Sequence, residues 1–295
     1  MADFRHDQAA GLRRMFNRRQ LRVVTFASGS PGVGKTSMVA NVAVALARLG
    51  LEVLVVDENG GAGHMGTFFG IHPQGDLLQV LNRQRPLEQV LFTPVPGVSV
   101  LPAGMAARQL GRLSPAQQQA MLVGMSSLER PVDVILVDTS PDHAHGFSPW
   151  GLAAGEAVMV VSGSGSSITD SYALIKKVSL AFARRHFRIL VNRVKTREDG
   201  LTIFGNLRKV AAQRGIAQLE YGGAVPLDDS LKQVAQFCQP IVSTLPEAPA
   251  AEALREFAAD MLDWPSAEYE NGGVEQFIQQ LLHLSHRITP RVLQA

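Results

Sequence analysis

The stretch Gly29–Thr36, GSPGVGKT, spaces three kinds of group that together hold a nucleotide's phosphates. Gly29, Gly32 and Gly34 lack a Cβ, so the backbone can turn its N–H groups inward around phosphate oxygens. Lys35 brings a positive charge to β- and γ-phosphates, and the Thr36 hydroxyl is a ligand for Mg²⁺. Ser30, Pro31 and Val33 complete the loop, and Ser37 follows it into a helix whose N-terminus favours an anion. Mg²⁺ needs a further acid. Asp138, closing VDVILVD, fits that role, and Asp57 closes the similar run LEVLVVD. Open α/β sheets bind ligands at such carboxyl ends. A strand-terminal aspartate also serves as a plain helix cap, and for Asp57 that alternative stays open. No lysine is followed by aspartate two residues later, as guanine-specific loops commonly require, which favours ATP over GTP.

Positioning these groups requires strands. Apolar runs at 21–27, 52–57, 98–103, 132–138, 157–163 and 187–194, with a shorter one at 219–225, read as strands covered on both faces. Helical patterns at 35–49, 114–128, 169–184 and 202–214 alternate with them. The expectation is an α/β fold: a doubly wound, mostly parallel sheet of the P-loop type, spanning 21–265. An N-terminal segment, 1–20, and a C-terminal amphipathic helix within 270–295 flank it. In that helix Val274, Phe277, Ile278, Leu281, Leu282 and Ile288 share one face.

The 295 residues are 46% hydrophobic, enough for a sizeable core, and the formal net charge of +2 gives no drive towards nucleic acid. Arg5, Arg13, Arg14, Arg18, Arg19 and Arg22 crowd the N-terminus against Asp3 and Asp7. Cys238 is the only cysteine, which excludes an intrachain disulfide and fits a reducing compartment. No run reaches the roughly 18 apolar residues of a membrane span, and MADFRHDQAAGLRRMF lacks a secretory signal's apolar core. A cytoplasmic location is expected. His143 and His145 form an H-x-H without further placeable ligands and read as a polar loop.

The phosphate loop, VVDEN, VILVDTSP and ILVNRV together resemble the MinD/ParA class of deviant Walker A ATPases. DQAAGLR (Asp7–Arg13) and SITDSYALIKK (Ser167–Lys177) are similar to segments of its FlhG (FleN) family of flagellar-number regulators. The resemblance covers about residues 5–265. It implies that Lys35, Thr36 and Asp138 bind Mg²⁺ with ATP or ADP, and that Asn192 and Pro226 lie by the adenine. It also implies that Asp7, Gln8, Ala9, Leu12 and Arg13 form a helix docking on an FlhF-type GTPase and stimulating it. A Gln carboxamide can orient the attacking water of such a partner. Further implied partners are flagellar C-ring proteins, a flagellar transcription activator, a second copy in a homodimer, and the inner membrane through residues 274–288. Packing of that helix on its own domain is the competing reading, since its polar face is Gln-rich and poor in cations.

Three departures stand out. Relatives carry a lysine, reaching a dimer partner's phosphates, where this chain has Ser30. They carry a water-positioning acid where it has Asn59, which offers no basicity near neutral pH. They have a Pro-Glu-Pro-like turn where it has SGSGSS (162–167). The expectation is nucleotide binding with very slow or no turnover and a weakened dimer, unless Asp57 or Glu58 substitutes for the missing acid. An active ATPase positioning another cargo, and a non-hydrolysing scaffold, are the alternative functions.

Overall fold

The computed structural model describes residues 21–60, 64–128, 130–141, 146–264 and 273–288. The Asp7–Arg13 motif and the His143/His145 pair lie outside them. Eight strands form one sheet: β1 Arg22–Ala27, β2 Val53–Asp57, β3 Phe92–Val95, β4 Val98–Pro102, β5 Val134–Asp138, β6 Glu156–Ser162, β7 His186–Val194 and β8 Gln218–Pro226. Their order is β3-β4-β2-β5-β1-β6-β7-β8. All neighbours are parallel except β3 and β4, which form an antiparallel hairpin.

The longer helices are α1 Lys35–Arg48, α2 Pro115–Ser126, α3 Gly165–Phe182, α4 Arg197–Gln213, α5 Pro249–Leu262 and α6 Gly273–Ile288. Alternation along each strand divides the core between the two faces of the sheet. Val24, Phe26, Val55, Leu136, Val160 and Leu190 point to the face covered by α1 and α5, where Leu254, Phe257 and Met261 are buried. On the other face, Leu54, Val56, Ile135 and Val137 meet α2 and α6. Met159, Val161, Ile189 and Val191 on that side meet α3 and α4. This is the doubly wound arrangement expected from the apolar runs.

Several element ends differ from the sequence reading, among them α3, which begins at Gly165 and not at 169 because Ser164 caps it, and one strand is additional. The pattern predicts a helix from 202, but α4 begins at Arg197 because Thr196 and Asp199 form a reciprocal capping box. Strand β3 was not expected. FTPV is short, contains a proline and is only half buried, features that suit an edge strand.

Helix α6 packs on its own domain. Phe277, Ile278 and Leu281 are fully buried, and the Phe277 ring lies 5.8 Å from that of Trp150. The apolar stripe that also suited a bilayer is occupied by the core of this chain. Among the described residues, no helix is long and apolar enough to cross a membrane.

Candidate functional site

Strand β1 ends at Ala27 and delivers the phosphate loop to the carboxyl edge of the sheet. Gly32 and Gly34 adopt positive φ values of 72° and 93°, conformations that favour glycine. Among the described residues, none accepts a hydrogen bond from the backbone N–H of Gly32, Val33, Gly34, Lys35 or Thr36. A Cβ on Gly32 would meet nothing within 4 Å. Unpaired donors around open space, at the start of a 14-residue helix, are what an oligophosphate requires. The residues present therefore fit a nucleotide.

Gly29 has a different reason to be glycine. A Cβ there would lie 2.2 Å from the backbone of Asp170 and Ser171, so the loop is seated directly on α3. Asn192, at the end of β7, braces the other side. Its Nδ2 donates to the Val33 carbonyl at 2.7 Å, and its Oδ1 accepts from the Arg193 N–H at 2.9 Å. The residue expected beside an adenine thus has its carboxamide engaged by the loop and by its own strand. Pro226 closes β8 in register with Val194, two residues beyond Asn192.

Strands β2 and β5 are adjacent, with Asp57 opposite Asp138 in the register. Both acids are buried. Lys35 Nζ pairs with Asp138 Oδ1, and Thr36 Oγ1 donates to Asp138 Oδ2 at 2.7 Å. Lysine, hydroxyl and acid expected to act on phosphate and metal therefore converge on one point. Asn59 joins them. Its Nδ2 lies 2.9 Å from Asp138 Oδ2, 3.2 Å from the Asp138 carbonyl and 3.0 Å from Asp57 Oδ1.

Asp57 is held in turn by the N–H groups of Asn59 (3.0 Å) and Met65 (2.6 Å). Burial first, and the Asp138 charge second, push its pKa up to about 6, against the pull of those hydrogen bonds. Both of its oxygens anchor the connection from β2 to the short helix Met65–Phe69. Glu58 is buried too, and burial pushes its pKa up to about 7. It accepts from Ser148 Oγ, the N-cap of the helix Pro149–Ala153, and from the Ser140 N–H at 3.2 Å. These partners commit it to bracing the site, not to the phosphate loop.

Ser30 donates to Asp170 Oδ2 at 2.6 Å. Where relatives carry a cation there is instead a short bond to an acid, so the rim of the loop is left with negative charge. The SGSGSS segment caps α3: Ser164 accepts from the Ser167 N–H, and Ser167 Oγ accepts from the Ser162 N–H. Neither Asp170 nor Ser148 reads as a site residue in the sequence: Asp170 lies within the family-like stretch Ser167–Lys177 but its contact with the loop is long-range, and nothing local marks Ser148.

The sequence pattern of the CobQ/CobB/MinD/ParA nucleotide binding domain matches residues 24–241. The chain is 29% identical over 271 residues to the antiactivator FleN of Pseudomonas aeruginosa, covering 92% of this chain and 97% of FleN. It is 26% identical over 271 residues to the flagellum site-determining protein YlxH of Helicobacter pylori, covering 90% and 91%. A chain of the MinC:MinD cell division protein complex of Aquifex aeolicus matches its structure with a TM-score of 0.63 and 25% identity, covering 83% and 98%. With a complete phosphate cradle at the predicted edge of the predicted sheet, the chain belongs to the CobQ/CobB/MinD/ParA nucleotide-binding domain family, as an FleN-like member of it.

Proposed function

We propose that this chain is an ATP-binding regulator of flagellar number and placement that acts on an FlhF-type GTPase and turns its own nucleotide over very slowly or not at all. The observation that carries the reading is Asn59. A full set of phosphate and metal groups surrounds it, yet its neutral carboxamide is spent on Asp57 and Asp138. Bound ATP would contribute phosphate charge and, with Mg²⁺, a polarised γ-phosphoryl group. The loop N–H groups and Lys35 hold that charge, while Thr36 and Asp138 hold the metal. The carboxylates of Asp57 and Glu58 are already engaged by donors of the protein, which in this reading keeps them from positioning an attacking water.

The names of the relatives support the cellular setting: one is a flagellum site-determining protein, another an antiactivator. A flagellar transcription activator and C-ring proteins are the corresponding partners. A homodimer would lack the cross-subunit lysine and would bring two Asp170 carboxylates near two sets of phosphates, so we assign it little stability. Membrane contact through 274–288 would require Phe277, Ile278 and Leu281 to leave the core, and we assign α6 to the domain.

Residues Asp7–Arg13 carry the action on the partner in this reading, with Gln8 orienting the attacking water. GTP hydrolysis by an FlhF-type GTPase should rise when this protein is added and should stay near its basal rate with Gln8→Ala. Equal stimulation by both proteins would remove the role of Gln8, and none by either would remove the GTPase role and leave the nucleotide-binding one.

A further inference from the structure

The contacts of Asn59 have a consequence for the metal. We propose that Asn59 is a positioning residue that makes nucleotide binding at this site largely independent of Mg²⁺. The inference rests on the nucleotide reading above and deepens it. Asp138 is fully buried, and a buried carboxylate needs donors on its oxygens. Three side chains supply them: Lys35, Thr36 and Asn59. A bound phosphate claims Lys35, and a metal claims the Thr36 hydroxyl. Asn59 is the one donor that neither ligand takes.

Its aim is fixed independently of any ligand. The backbone N–H of Asn59 is tied to Asp57 Oδ1 at 3.0 Å, and Asp57 Oδ2 is tied to the Met65 N–H at 2.6 Å. The carboxamide is therefore held between the two acids, donating to both. An aspartate at 59 offers no donor and would set a third carboxylate beside Asp57 and Asp138. Once Lys35 turned to phosphate, the Thr36 hydroxyl would be the one side-chain donor left to Asp138, and a cation with its water shell would be needed to offset three clustered acids. With asparagine, Asp138 keeps a partner throughout the exchange, and the metal becomes an addition rather than a requirement.

The test is the equilibrium affinity for a fluorescent ADP analogue, measured in excess Mg²⁺ and in excess EDTA. Wild type, Asn59→Asp, Asn59→Ala and Lys35→Ala are compared, each checked for folding by its melting curve. Wild type should lose less than about tenfold on chelation. Asn59→Asp should lose a further ten- to hundredfold or so in EDTA, the worth of one hydrogen bond to a charged group. Asn59→Ala, lacking the donor but adding no charge, should fall between them, and it carries the test alone if the aspartate variant does not fold. Lys35→Ala should bind in neither buffer, which assigns the signal to this loop. The same chelation ratio in wild type and the Asn59 variants would overturn the inference, as would a loss above a hundredfold in wild type. Failure of wild type to bind even with Mg²⁺ would instead remove the nucleotide reading, and this inference with it.

Discussion

Replacing Phe277 with alanine should destabilise the protein by about 3–5 kcal/mol, although the residue lies in a helix that its sequence would equally suit to a membrane surface. Phe277 is fully buried in α6, against Trp150 and among Ile278, Leu281 and Leu282. Removing its ring leaves a cavity between two layers that cannot easily collapse, because Trp150 is itself held in the Pro149–Ala153 helix beneath the sheet. Urea unfolding followed by tryptophan fluorescence reads the change directly. A loss below about 1 kcal/mol, in the range of surface substitutions, would show that α6 is not docked as described. Liposome sedimentation of wild type, which should stay in the supernatant, separates the two uses of the same apolar face.

The second large effect is at Lys35. Alanine there should both lower the stability of the nucleotide-free protein and abolish nucleotide binding. Lys35 is 8% exposed and is the one cation paired with Asp138 among the described residues. Breaking a buried pair by removing one partner costs about 3–5 kcal/mol, because the other charge stays buried. Asp57 sits opposite in the same register, so the loss leaves two acids with neutral donors only. Wild type should also gain thermal stability as ADP is added, in proportion to the logarithm of ligand over Kd, and Lys35→Ala should not. A Lys35→Ala protein that melts as wild type does, or that ADP still stabilises, would place the phosphates elsewhere.

Much of this was legible from the chain because it depends on local rules. Apolar runs alternating with helical patterns marked seven of the strands in the sheet; the central ones, buried on both faces, have no polar side to disguise them, while β8 at the edge is half exposed. Lys35, Thr36 and Asp138 were readable because a motif and a strand end each fix a backbone position. The edge strand β3 was not, because an edge tolerates the proline and half-exposed residues that elsewhere argue against a strand. What Asn59 does was also hidden. Its substitution was visible, but its hydrogen bond to Asp138 spans 79 residues of chain, and its role follows only from the adjacency of β2 and β5. The Ser30–Asp170 bond spans 140 residues and was hidden for the same reason. Read from sequence, Asn59 is a missing acid; in the fold it is a donor installed between two carboxylates.

In the proposed function the site holds ATP and cleaves it very slowly or not at all. Single-turnover hydrolysis, with protein in excess over ATP and Mg²⁺ present, should leave the bound nucleotide recoverable as ATP after times in which family ATPases would convert it. ADP formation by wild type, abolished by Lys35→Ala, would contradict it.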